Sequence, residues 1–211
     1  MTRVVADADL LAAWSAGSRA AGDELIERHF ALVHRFFRNK VGFELEDLVQ
    51  QTFLACVEAR ARYAGDASFK TFLLAIARNQ LFTHYAKQQR RALDFELTSV
   101  HDLRTSPSAV VARQEDERLL AEALRRVPLE AQVVLELVYW EGCDGGEVAR
   151  VLEVPLNTAY SRLRRAKIAL RERLTELAPD RVAQILSELR GSEADVSEPD
   201  EDDEPPARSC G

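Results

Sequence analysis

Apolar residues in the first ninety positions recur at three- and four-residue steps, the spacing that gathers them on one face of an α-helix. Leu25, Ile26, His29, Phe30, Val33, Phe36 and Phe37 keep this step and predict a helix over 19–40. Leu45, Leu48, Val49, Thr52, Phe53, Cys56 and Val57 repeat it more cleanly and predict a second helix over 44–62. Gly65, Asp66, Ala67 and Ser68 then supply loop and capping residues ahead of a third stripe, Phe69, Phe72, Leu73, Ile76, Leu81 and Tyr85. That helix closes with Lys87, Arg90 and Arg91. A short helix over 10–16, capped by Asp9, completes a first domain over 9–91.

Periodicity fades over 92–108, where the later residues are polar and include Pro107, so this stretch reads as a flexible linker. Helical spacing resumes with Val111, Leu119, Leu120, Ala123, Leu124 and Val127, and Pro128 opens a further helix that ends near Gly142. No strand-like alternation is sustained, so the expected fold class is all-α, with two small helical domains, the second over 109–175. Past it, Pro179 interrupts a helix and Asp180 is placed to cap another. Val182, Ile185, Leu186 and Leu189 form a short apolar stripe over 176–190 that needs a surface, and the second domain is the nearest one.

The sharpest local pattern lies at 144–170, DGGEVARVLEVPLNTAYSRLRRAKIAL, which reads as a helix-turn-helix. Asp144 and Glu147 have the spacing of a capping box, and Val148, Val151 and Leu152 face inward. Glu153, Val154 and Pro155 break the helix, and the next begins at Asn157 or its neighbour. At roughly 100° per residue, Ala159, Leu163, Ala166 and Leu170 share the packing face. The opposite face holds Asn157, Ser161, Arg164 and Arg165, with Thr158 and Arg162 at its margin.

Charge distribution gives that polar face its meaning. The formal charge is −7, but eight acids against Arg208 alone, after residue 190, account for all of it. Residues 1–190 hold 27 acids and 27 bases, so basic patches emerge only segment by segment. Residues 156–174 carry six bases (Arg162, Arg164, Arg165, Lys167, Arg171 and Arg173) against Glu172. This helix has the charge to lie against phosphates, with its polar N-terminal residues at base edges in the major groove. The tail, 191–211, is acidic and poor in apolar residues, a composition that predicts disorder. It serves either solubility alone or salt-sensitive competition with DNA for the basic helix.

The remaining composition narrows the function class. No apolar run approaches the roughly 18 residues needed to cross a bilayer, and the first residues lack the basic-then-apolar order of an export signal. The expectation is a cytoplasmic protein without direct membrane insertion. Cys56, Cys143 and Cys210 form no C-x-x-C pair, which fits a reducing compartment; Cys56 reads as core, and Cys143, after Gly142, as a thiol whose exposure decides its reactivity. His29, His34, His84 and His101 form no metal-binding motif, and neither a phosphate loop nor a nucleophile elbow is present. Neither a catalytic residue, a metal nor a cofactor is assigned.

Three segments resemble the extracytoplasmic-function (ECF) sigma factors of the sigma-70 family, in that family's order over about 9–91 and 112–174. Val154-Pro155 and Ser161-Arg162-Leu163-Arg164-Arg165-Ala166 match the family's reader of the minus-thirty-five promoter element. Glu153 stands where the family often has Gly, and Tyr160 where it is often basic. Glu46-Asp47-Leu48-Val49-Gln50-Gln51-Thr52-Phe53 is similar to the segment that docks on the β′ coiled coil of core RNA polymerase, which implies Asp47, Gln50 and Gln51 as contacts. The stretch at 63–72 with Ile76-Ala77-Arg78-Asn79 resembles the minus-ten reader. Loop 63–68, Lys70 and Asn79 would meet an unstacked base, and Arg78, Lys87, Arg90 and Arg91 the backbone. Phe69 and Phe72 keep the apolar period and read as core. Asn157, Thr158, Ser161, Arg162, Arg164, Arg165 and Lys167 are the implied duplex contacts. The implied partners are core polymerase, through the β′ coiled coil and the β flap, promoter DNA and an anti-sigma factor. An operator-binding regulator or a polymerase-binding module that never touches DNA would fit one domain each; the paired resemblance favours the sigma factor.

Overall fold

Why the first half packs as it does follows from its stripes. The computed structural model describes residues 5–60, 63, 67–94 and 115–190, the side chains of 90–94 and 190 excepted. The described residues form no strand, and their α-helices are α1 Asp7–Ser15, α2 Arg19–Arg38, α3 Leu45–Ala59 and α4 Phe69–Asp94, then α5 Glu115–Arg126, α6 Leu129–Tyr139, α7 Gly145–Leu152, α8 Leu156–Leu177 and α9 Val182–Arg190. In the first half, Leu25, Val33, Phe36 and Phe37 of α2 meet Leu48, Val49 and Cys56 of α3 and Leu73, Leu74 and Leu81 of α4, all buried. Thr52 sits in this core because its hydroxyl donates to the Leu48 carbonyl at 2.7 Å. That bond removes the cost of burying an unpaired hydroxyl.

Several boundaries differ from the pattern. Helix α1 starts at Asp7, so Asp9 lies inside its first turn instead of capping it. Asp7 also receives Arg28 at 2.5 Å and His29 at 2.7 Å, tying α1 to α2. Burial alone would raise the Asp7 carboxyl, but His29 and Arg28 outweigh it and hold it below the ordinary value. Gly22 lets the two helices touch: a Cβ there would stand 2.4 Å from the Trp14 ring nitrogen. Phe30, placed on the core stripe by its spacing, is 45% exposed and stacks on Phe53 with ring centroids 6.2 Å apart. Helix α4 runs to Asp94, into the stretch expected to be linker; the rest of 92–108, with Val111, lies outside the described residues.

The second half is built around α8. Ala159, Leu163, Ala166, Leu170 and Leu174 are its buried residues, packed on α5, α6 and α7. Pro128 occupies the N-cap position of α6. Pro179–Arg181 form one 3-10 turn, so Asp180 lies within that turn. Ile185 and Leu189 of α9 are buried in the second half. Arg181 pairs with Asp116 at 2.8 Å and with Glu115 at 2.9 Å, fastening this extension to α5. The tail 191–211 lies outside the described residues.

The halves are in contact. Helix α4 packs on α7, and four groups of polar contacts cross the seam. Lys40 pairs with Glu136, and Arg35 forks onto Glu141 at 2.9 and 2.7 Å. The Lys70 ammonium donates to the Glu141 carbonyl at 2.8 Å, and the Thr71 and Ser68 hydroxyls donate to Glu147 at 3.0 and 3.3 Å.

Candidate nucleic-acid interface

The turn between α7 and α8 sets the direction of the reading helix. Asp144 caps α7 by accepting from the Glu147 amide at 2.8 Å, while the Glu147 carboxylate accepts from the Asp144 amide at 3.2 Å. This reciprocal pair satisfies two of the amide donors that a helix start leaves open. The chain then reverses at Glu153, whose φ of 55° and ψ of 45° are left-handed. A side chain in that region is strained by about 1–2 kcal/mol, which accounts for glycine being the frequent residue at such a turn. Tyr160, on the first turns of α8, leans over the start of α7; a Cβ on Gly145 would stand 2.7 Å from its hydroxyl. It is a packing residue between the two helices of the motif.

Helix α8 separates its two tasks by face. Asn157, Ser161, Arg164 and Arg165 are exposed, Thr158, Arg162 and Lys167 half-buried, and the four inward residues are at most 4% exposed. Arg165 Nε donates to the Ser161 carbonyl at 3.3 Å, which lays its stem along the helix. Among the described residues, no carboxylate pairs with Arg162, Arg164 or Arg165, so their charge faces outward. The helix N-terminus at Leu156 adds its partial positive charge at the same end.

On the first half, Asp47, Gln50 and Gln51 are all exposed along one side of α3. Leu54, one turn further on that side, is 56% exposed, and Phe43, just before α3, is fully exposed. These apolar residues were missed in the pattern, although Leu54 lies at i+3 and i+4 from Gln51 and Gln50, a spacing that marks it as their neighbour. The polar octet is thus the rim of a partly apolar surface.

The start of α4 is built differently. Ser68 Oγ accepts from the Thr71 amide at 3.1 Å, capping the helix as expected. Tyr63 donates its hydroxyl to the Ala67 carbonyl and packs edge-on against Phe72 at 5.0 Å. Residues 61–62 and 64–66 of this loop lie outside the described residues. Phe69 is buried and Phe72 half-buried against the core. Asn79 and Lys87 are exposed, whereas Arg78 is half-buried, with its guanidinium 4.9 Å over the Phe82 ring. Arg90 and Arg91 belong to the last turns of α4, their side chains outside the described residues. Lys70 is half-buried at the seam.

Among the described residues, an all-helical chain with a capped helix-turn-helix in its second half agrees with comparisons to known proteins. The family model described as Sigma-70 region 2 matches residues 25–91, and that described as Sigma-70, region 4 matches 117–170. The chain belongs to the sigma-70 family. The sigma factor is 29% identical over 166 residues to the ECF RNA polymerase sigma factor SigM of Mycobacterium tuberculosis, covering 78% of this chain and 82% of that one. It is 27% identical over 175 residues to the RNA polymerase sigma-H factor of Pseudomonas aeruginosa, covering 76% and 90%. Among solved structures, CnrH in complex with the cytosolic domain of CnrY shares the fold, with a TM-score of 0.58, 22% identity and coverage of 79% and 95%. The sigma factor RpoE bound to the anti-sigma factor NepR from Bartonella quintana does so with a TM-score of 0.56, 19% identity and coverage of 72% and 96%. This is therefore an alternative sigma factor of the ECF subfamily, which directs transcription initiation and binds DNA through a helix-turn-helix.

Among the described residues, the two thiols take no part in this surface. Cys56 and Cys143 are fully buried, and burial pushes each up to about 12. Both are held in the unreactive thiol form at neutral pH. No helix of the described residues is long and apolar enough to cross a membrane.

Proposed function

We propose that this sigma factor docks on the β′ coiled coil of core polymerase through Asp47, Gln50 and Gln51, and reads a promoter at two places. The outward face of α8 takes the minus-thirty-five duplex: Arg162, Arg164, Arg165 and Lys167 hold phosphates, while Asn157, Thr158 and Ser161 meet base edges. Loop 63–68, Lys70 and Asn79 take the separated minus-ten strand, with Arg78, Lys87, Arg90 and Arg91 along its backbone. The observation that carries the reading is the burial of Ala159, Leu163, Ala166 and Leu170 on one face of α8, while Arg164 and Arg165 stand exposed on the other without a carboxylate partner among the described residues. Leu54 adds an apolar contact beside the docking residues.

The chain supplies specificity and positioning; catalysis belongs to the polymerase, and the site of action is the cytoplasm. The β flap is the expected second contact on polymerase. An anti-sigma factor is the expected inhibitor, since a structural neighbour was solved with one. Replacing Asp47 and Gln51 together with Ala tests the docking assignment. Titration should show core polymerase affinity lowered by about tenfold with unchanged helicity, as expected for loss of contacts on an exposed face. Affinity equal to that of the unmodified chain would remove α3 from the interface.

A further inference from the structure

Helix α8 carries a second stripe beside the residues assigned to base edges. Lys167, Ile168 and Arg171 follow Arg164 by three, four and seven residues, so the four line one side of the helix. Ile168 is 52% exposed in the middle of that side, with bases around it. Together with Tyr139 of α6 and Leu186 of α9, these residues line a groove of about 180 Å³. Arg164 and Arg171 are exposed, and no carboxylate of the described residues pairs with either. The groove is smaller than the roughly 300–1,000 Å³ of a small-molecule pocket. Its apolar floor and basic rim fit a short aliphatic side chain flanked by acids.

A segment of that composition follows α9 directly. Helix α9 ends at Arg190, and residues 193–198 read Glu193-Ala194-Asp195-Val196-Ser197-Glu198. Val196 is the one branched aliphatic residue of 191–211, a stretch with a net charge of −7. We propose that residues 193–198 turn back and dock in this groove in the free chain, with Val196 on Ile168 and Leu186 and the acids on Arg164, Lys167 and Arg171, so that promoter duplex has to displace them. The inference rests on the assignment of α8 to the duplex, and deepens it by naming an intramolecular competitor for that helix.

Chain length permits the turn. Leu186 lies about 6 Å back along α9 from Arg190, at 1.5 Å per residue. The stretch from Arg190 to Val196 spans at most about 20 Å when extended, more than the return requires. Helix α9 is itself held in place: Ile185 and Leu189 are buried, and Arg181 pairs with Asp116 at 2.8 Å and Glu115 at 2.9 Å. The segment therefore starts from a fixed point beside its groove. A carboxylate offers a guanidinium two charged acceptor oxygens, as a phosphate does. Arg164 and Lys167 belong both to the groove and to the residues assigned to phosphates, so acids and duplex exclude each other there. The contact lies at the surface, where salt screens it beyond about 10 Å at 0.1 M.

Methyl nuclear magnetic resonance on the full-length chain tests the docking without DNA. The chain has four isoleucines, Ile26, Ile76, Ile168 and Ile185, so isoleucine labelling gives one signal for each. Cys56 and Cys143 are fully buried, so a nitroxide attaches selectively at Ser197→Cys in a Cys210→Ser background. At low salt the label should broaden Ile168 more than Ile26 and Ile76. Adding Val196→Ser, which keeps the net charge, should restore the Ile168 signal. Fluorescence anisotropy with a duplex from a promoter mapped with the holoenzyme then reads the competition. A segment docked in about 80% of molecules lowers apparent affinity about fivefold, so Val196→Ser should bind the duplex about fivefold tighter at low salt. That gain should shrink as salt rises. An Ile168 signal that stays sharp, or equal broadening of all four methyls, would overturn the proposal. So would docking with no affinity gain in Val196→Ser while Arg164→Ala weakens duplex binding. Failure of the α8 assignment would look different: Ile168 broadened as expected, but duplex affinity indifferent to both Arg164→Ala and Arg165→Ala.

Discussion

Helices α8 and α4 both carry basic residues assigned to DNA, but they divide their surfaces in opposite ways. On α8 the packing residues Ala159, Leu163, Ala166 and Leu170 occupy one face, and the chemistry occupies the other. On the first turns of α4, buried Phe69 and Thr71 alternate with Lys70, and both Lys70 and Thr71 are already engaged by the second half. A helix whose faces are separate can be altered on one side without the other. A helix whose roles interleave cannot, and substitutions at its start should change folding, interdomain contact and DNA binding together.

The largest effect expected from this contrast is on the packing face of α8. Leu163 is 4% exposed, and its truncation to Ala removes a core side chain with a cavity left behind, at a cost of about 2–5 kcal/mol. Urea unfolding should show that loss, with duplex affinity falling only as the folded fraction falls. A fully folded Leu163→Ala chain with weakened DNA binding would mean that the faces are not separate.

Substitutions on the outer face should leave stability near its starting value and divide by chemistry. Asn157→Ala should cost about 1–3 kcal/mol at one base position and relax selection there. Arg165→Ala should weaken binding to all sequences alike and reduce the salt slope by about 0.9. Binding-site selection and salt titration separate the two. A changed base preference in Arg165→Ala would move that residue from the phosphates to the bases.

The smallest effect concerns the turn that orients α8. Glu153 is held at φ 55°, so Glu153→Gly should stabilise the second half by about 1 kcal/mol. Thermal unfolding checks it. Lower stability would show that the Glu153 side chain compensates its backbone strain through contacts of its own.

Much of this was legible in the sequence because helical period and capping are local. The inner residues of α8, the Asp144–Glu147 box and the Ser68 cap were all visible as spacing alone. Phe30 was misplaced because a stripe records periodicity without recording whether a neighbouring helix covers its edge. The seam was missed for a related reason: Arg35, Lys40, Glu136 and Glu141 are far apart in sequence and lie off the apolar stripes. One signal was present, since Glu136 interrupts the otherwise apolar run Val133-Val134-Leu135 and Leu137-Val138 of α6. A lone acid in such a run demands a partner, and burial does raise its carboxyl above the ordinary value despite Lys40. The candidate residues of α8 stand out because their chemistry faces away from the core, whereas Ser68 and Lys70 at the start of α4 make tertiary contacts that no local pattern encodes.

The central claim is that these two surfaces work together on a polymerase, and reconstitution tests it most directly. Purified chain added to core RNA polymerase, with transcription starts mapped across a genome, should produce specific new starts that share two spaced upstream elements. Those starts should disappear when Asp47 and Gln51 are replaced. Absence of new starts from a preparation that instead binds duplex DNA tightly without polymerase would contradict the claim.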